Sequence, residues 1–203
     1  MNLDRRQFSA ALVGLVTMRA SAANTGVANL KKTFGSPAAP VTIEVFSDFE
    51  CPSCKNLHEV TLPPLKLQYV WPGKVQLIHR DFPLPQHKYS RLAAMYANAA
   101  AAIDQFEPVA SGLFAKQQYW SSNGKVDEVV AGVLKPAQLK QVRMIMNDSI
   151  VPAAIEADLA LGRRVPLNQT PTIVISHKQR RTPVAGFIAY DMLRQYLDGL
   201  LKG

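Results

Sequence analysis

Cys51 and Cys54 are the only cysteines in the chain, and they stand three apart in Cys51-Pro52-Ser53-Cys54. Thiols at i and i+3 on one helical turn lie within reach of a disulfide. Pro52 suits a helix-opening position, so the motif reads as the start of a helix. A helix N-terminus carries partial positive charge and unpaired N–H groups, which favour a thiolate and lower its pKa. Cys51, at or just before the first turn, gains most and is the expected nucleophile. Cys54 lies deeper and is the expected resolving thiol. Pro52 and Ser53, between them, tune the pair. The competing chemistry is a metal site. Zinc and iron–sulfur sites normally take four ligands. No further cysteine exists, and zinc would need two of His58, His79, His87 and His177. His58 falls one turn beyond Cys54, but no second C-x-x-C and no H-x₃-H appears. A redox pair without metal or organic cofactor is the preferred reading, with His58 as a histidine on the helix surface.

The elements around the motif support it. Val41 to Ser47 (V-T-I-E-V-F-S) is β-branched and aromatic and reads as a strand leading directly into the cysteines. Pro52 to Tyr69 reads as a helix, with a kink or break at Pro63-Pro64. Lys74 to His79 is a second strand, which completes a βαβ unit. From Gln86 to Arg164 the pattern is helical: Ser90 to Ile103, Val109 to Trp120, Val126 to Val133, Pro136 to Asn147 and Ile150 to Gly162. Thr172 to Ser176 is a strand, Pro183 to Ile188 its hairpin partner, and Tyr190 to Leu201 an amphipathic final helix. Glu44 lies inside the apolar first strand, where a carboxylate is costly unless paired or protonated.

The chain has 203 residues, 48% of them hydrophobic, which suits one core with an insertion. The net charge of +8 raises nucleic acid as a partner, but the basic residues are scattered in small groups such as Lys31-Lys32 and Arg163-Arg164. They read as solvated surface, so no nucleic-acid partner is expected. No stretch approaches the roughly 18 apolar residues of a spanning helix. Residues 1–22 read as an export signal. Arg5-Arg6 start it, Ser9 to Met18 form a short apolar middle, and Ala20-Ser21-Ala22 offers a cleavage site. Asp4-Arg5-Arg6-Gln7-Phe8 partly matches the twin-arginine pattern; an ordinary secretory signal is the alternative. Residues 23–40 then read as a mobile lead-in.

Three segments together resemble the DsbA-like branch of the thioredoxin superfamily. They are Ser47-Asp48-Phe49-Glu50-Cys51-Pro52-Ser53-Cys54, Arg80-Asp81-Phe82-Pro83-Leu84 with His87 beyond it, and Gln169-Thr170-Pro171-Thr172. The resemblance runs from about Gly35 to the C-terminus. It implies an α/β thioredoxin fold over 41–85 and 165–203, with a helical insertion over 86–164 packed as a lid on the active end of the sheet. It also implies a cis peptide at Thr170-Pro171 facing the cysteines, with Thr170 and Pro171 binding substrate through the Thr170 backbone. Glu44 would move protons to and from the deeper cysteine, although its spacing to Cys51 is one residue longer than in DsbA. His87 would cap or orient the first inserted helix.

The function so implied is disulfide exchange with exported, cysteine-containing proteins in the periplasm or another extracytoplasmic space, with reoxidation by a membrane redox partner. Two alternatives stand beside the oxidase. One is a reductase or isomerase working from the reduced state, which Thr before the proline keeps open. The other is a peptide-binding chaperone with incidental cysteines.

Overall fold

A computed structural model describes residues 30–165 and 167–202. The export signal expected over 1–22 lies outside the described residues. Among those described, the sheet has five strands: β1 (Thr33–Phe34), β2 (Val41–Ser47), β3 (Val75–Asp81), β4 (Thr172–His177) and β5 (Arg180–Ala185). Their order is β1-β3-β2-β4-β5. β2 runs parallel to β3 and antiparallel to β4. It is central and covered on both faces, and six of its seven residues are buried. Its end delivers the chain to Cys51.

The helical run α1 follows and has four parts: Pro52–Asn56, a wide π turn at Leu57–Thr61, Leu62–Leu65, and a second π stretch at Lys66–Val70. Of the kink or break expected at Pro63-Pro64, the break does not occur, and the run departs from α geometry in π stretches on either side. The two prolines lack the N–H groups that the α register would aim at the carbonyls of Glu59 and Val60. The wide turn just before them shifts that register, and the run continues.

Among the described residues, six helices stand between β3 and β4: α2 (Ser90–Ala101), α3 (Phe106–Ala115), α4 (Gln117–Asn123), α5 (Val126–Val133), α6 (Pro136–Ile145) and α7 (Ile150–Arg164). The single helix expected over 109–120 is two. The chain leaves helical geometry at Lys116 (φ −101°, ψ 18°), and Trp120 turns inward with its indole N–H donating to the Leu113 carbonyl at 2.7 Å. The last helix is α8 (Tyr190–Lys202). The final hairpin begins three residues earlier than expected. β5 opens with the polar, exposed Arg180 and Arg181, which give no apolar signal, and Pro183 is tolerated because β5 is an edge strand.

Three packed regions result. Val41, Ile43 and Val45 face α1 and α8 through Leu57, Leu65, Leu193 and Leu197. On the opposite face Phe46 and Val174 meet Val165, with Leu161 of α7 packed alongside. The inserted helices form the largest core, and it includes Phe49, Cys51 and Cys54. The lid is therefore continuous with the cysteine loop.

The mobile lead-in expected over 23–40 is corrected for its described part. Leu30 is buried, and Thr33–Phe34 pairs antiparallel with β3. Lys32, read as surface charge, is buried and donates to Asp81 on β3 and Asp158 on α7. Burying a charge is costly without such partners. Two carboxylates therefore hold this segment against the sheet.

Candidate active site

Cys51 has extended backbone geometry (φ −74°, ψ 120°) and caps α1. Its carbonyl accepts the N–H groups of Cys54 and Lys55, both at 3.1 Å. Its thiol therefore lies where the first turn presents free N–H groups. Both cysteines are in the dithiol form. Cys51 Sγ donates to the Thr170 carbonyl at 3.2 Å, and the Thr170–Pro171 peptide is cis. Cys54 Sγ accepts the Asp48 N–H at 3.4 Å.

The two thiols are displaced in opposite directions. Cys51 is lowered to about 5. The largest cause is the hydrogen bond from the Cys54 thiol. Burial opposes it, and a hydrogen bond from the Thr170 side chain and the N–H groups of Cys54 and Ser53 add to it. Cys54 is pushed well up, first by burial and then by its bond to Cys51 and the charge there. The Ser47 hydroxyl and the Asp48 N–H act weakly the other way. One sulfur is a ready thiolate and the other holds its proton.

Asp48 organises the surrounding loop. Its Oδ1 accepts from the Glu50 N–H at 2.7 Å and the Ser90 hydroxyl at 2.6 Å. Its Oδ2 accepts from the Leu84 N–H at 2.7 Å and pairs with His87 Nδ1 at 2.8 Å. The cysteine loop, the segment after β3 and the start of α2 thus share one buried carboxylate. Gln117 of α4 reaches the same loop and donates to the carbonyls of Phe49 and Cys51.

The structure brings together Cys51, Pro52, Ser53, Cys54, Thr170 and Pro171. It does not bring Glu44 to them. The Glu44 carboxylate pairs with Arg80 and Arg181, each at 2.8 Å. It shares a face of β2 with Phe46, against α7, whereas Val45 faces α1. A one-residue change of spacing to the cysteines reverses the face a strand residue takes. The proton-transfer role read for Glu44 is therefore not supported by its position. His58 also departs from expectation. It is partly buried, lies over Phe114 with ring centroids 4.8 Å apart, and meets Ser111 Oγ at 3.0 Å. Burial lowers it to about 4. Arg163 and Arg164 are the exposed, basic last turn of α7, as read. Among the described residues no group of three or more His, Cys, Asp or Glu side chains is arranged to hold a metal ion, and no helix is long and apolar enough to cross a membrane. Gln117 carried no signal in the sequence, because the carbonyls it reaches lie 68 and 66 positions away; Ser47 stood within the motif segment without an assigned role.

A thioredoxin family model matches residues 29–198. Disulfide bond formation protein D of Bacillus subtilis (strain 168) is 27% identical over 177 residues, covering 83% of this chain and 76% of its own length. Among solved structures, oxidised BdbD from Bacillus subtilis aligns with a TM-score of 0.70 at 24% identity, over 87% of this chain and 95% of that one. Wolbachia pipientis alpha-DsbA1 aligns with a TM-score of 0.70 at 22% identity, over 83% and 89%. These structures share the fold, a thioredoxin unit with a helical insertion. The family model spans most of the chain and the dithiol stands at the head of α1, so the chain belongs to the thioredoxin family, as a DsbA-like thiol–disulfide oxidoreductase.

Proposed function

We propose that this protein is an exported oxidase that introduces disulfides into secreted proteins outside the cytoplasm. The observation that carries the reading is the opposite displacement of the two thiols, Cys51 to about 5 and Cys54 well upward. A substrate thiolate attacks Cys51 Sγ of the oxidised pair. The Cys51–Cys54 bond breaks, Cys54 leaves and takes up a proton, and a mixed disulfide joins the substrate to Cys51. The substrate's second thiolate attacks its own bridged sulfur, and Cys51 leaves as a thiolate. Two electrons pass from the substrate dithiol to the enzyme. A low-pKa thiol leaves faster, so Cys51 favours release of the oxidised substrate. Thr170 and Pro171 border the reacting sulfur and offer backbone to an extended substrate. A membrane redox partner then reoxidises the enzyme.

The same dithiol, kept reduced, is a reductase or isomerase, and Thr170 before Pro171 is the feature in its favour. The reduction potential of the Cys51–Cys54 pair separates the two. An oxidase is expected between roughly −120 mV, the value for DsbA, and roughly −270 mV, that for thioredoxin. Ser53 carries no charge to add to the thiolate's stabilisation, which places the expectation inside that interval. A potential at or below thioredoxin's would replace the oxidase by the reductase.

A further inference from the structure

Gln117 opens α4, is only 6% exposed, and is buried against the loop that carries Cys51. Its Nε2 donates to the Phe49 carbonyl at 2.7 Å and to the Cys51 carbonyl at 3.0 Å. Two carbonyl acceptors fix which end of the amide faces the loop, since only the NH₂ end donates. Three residues on, Trp120 is fully buried with its Nε1–H on the Leu113 carbonyl, a bond that does not involve the cysteine loop. The Cys51 carbonyl is also the first acceptor of α1, taking the Cys54 and Lys55 N–H groups. Its placement therefore sets how the Cys51 sulfur lies relative to the first turn and to Thr170.

We propose that Gln117 is a positioning residue for thiol–disulfide exchange: from the inserted helices it clamps the Phe49 and Cys51 carbonyls and so fixes the aim of the Cys51 sulfur. The inference rests on the proposed role of Cys51 as the exchanging sulfur. The insertion then does more than cover the site, because one of its side chains sets the pose of the nucleophile. Without the two N–H groups, the Phe49 carbonyl is buried with a lost donor and the loop shifts to recover one. The sulfur then leaves its alignment with the N–H groups of Ser53 and Cys54.

Gln117→Met keeps the length of the side chain and removes both donors. Gln117→Glu keeps the shape, but an ionised carboxylate only accepts and adds negative charge beside the loop. Trp120→Phe removes the indole N–H bond within the same helix and leaves the two carbonyls clamped. The measurements are the pH profile of Cys51 alkylation and the equilibrium with glutathione. Gln117→Met should raise the alkylation midpoint by about one pH unit and move the equilibrium about tenfold toward the oxidised protein. Gln117→Glu should move both further the same way. Trp120→Phe should lower the melting temperature and leave both readings in place. A folded Gln117→Met with wild-type midpoint and equilibrium overturns the proposal, as does a Trp120→Phe that shifts them equally. Should the Gln117 variants fail to fold, hydrogen exchange of the wild-type protein decides. The Gln117 side-chain amide protons should exchange more slowly than those of exposed glutamines, and exchange at the bulk rate overturns the clamp. Wild-type alkylation at Cys54 first would sink the functional reading and this proposal with it. Unchanged Gln117 variants with Cys51 still reacting first would sink this proposal alone.

Discussion

Cys51 and Cys54 share one helical turn, yet their protons are held in opposite ways. Cys51 accepts from the Cys54 thiol and from first-turn N–H groups, whereas Cys54 is pressed into the core beside Asp48 and Ser47. Alkylation of the reduced protein should therefore modify Cys51 first, with a midpoint near pH 5 and a plateau before neutrality. Equal rates at the two cysteines, read by mass spectrometry, would contradict the assignment. Cys54→Ser should accumulate mixed disulfides through Cys51 and Cys51→Ser should abolish exchange, both visible on non-reducing gels. Cys54→Ser also replaces the largest donor to Cys51. Glu44 makes the opposite case. Its partners are two guanidiniums on the α7 side of the sheet. Glu44→Gln should leave the exchange rate unchanged while lowering stability by about 1.5–3 kcal/mol, the usual range for hydrogen bonds to charged groups. A large loss of exchange in a stable Glu44→Gln protein would restore the proton-transfer role.

Among the described strands, β1 is the shortest, and it is held by a buried ionic anchor. Two residues make a marginal strand by themselves, but Lys32 beside them is buried between Asp81 and Asp158. Asn98 and His79 also meet Asp81, and Arg80 meets Asp158. The cluster therefore joins β1, β3, α2 and α7. Removing one partner of a buried ionic cluster leaves the remaining charges uncompensated, which typically costs about 3–5 kcal/mol. Lys32→Met should lower stability on that scale in a denaturant titration and leave the alkylation profile of Cys51 in place. A variant as stable as wild type would mean that β1 is held by its ladder and by Leu30 alone. In α1, the wide turn at Leu57–Thr61 serves a different need. It carries the active-site helix past two prolines, so Leu57 and Leu65 stay on the core face of one continuous run.

For the whole molecule, the displaced thiol ties stability to redox state and pH. The folded pKa of Cys51 is below that of an unfolded thiol. The reduced fold holds this stabilisation in full above the unfolded value of about 8.5 and loses it as pH falls through the folded value. The raised Cys54 acts only at the alkaline end, where an unfolded thiol would already have ionised. The reduced protein should thus melt at or above the temperature of the oxidised one at neutral pH and lose that edge in acid. Calorimetry of both forms checks this, and an oxidised form clearly more heat-stable at neutral pH would count against the oxidase. The proposed export belongs to this scale as well. The chain's only cysteines are the active pair, so folding needs no oxidising compartment and can precede transport. Replacing Arg5 and Arg6 by lysine should block export by the twin-arginine route, and unchanged export of that variant would point to the general secretory route.

The sequence alone determined what depends on neighbours along the chain. The β-branched and aromatic stretch of β2, the cysteine pair at a helix start, the helical periods of α2, α5 and α7 and the strand β4 are local patterns. Local sterics and backbone hydrogen bonding turn them directly into structure. The tertiary structure decided what depends on distant partners. Lys32 looked like surface charge because its carboxylates lie 49 and 126 positions away. The pairing of Glu44 could not be read, because its two guanidinium partners lie 36 and 137 positions away. Gln117 looked like any polar helix residue until the insertion folded onto a loop 66 positions earlier. A buried charge or amide is held only by the groups that packing brings to it, and packing of the lid on the sheet has no local signature.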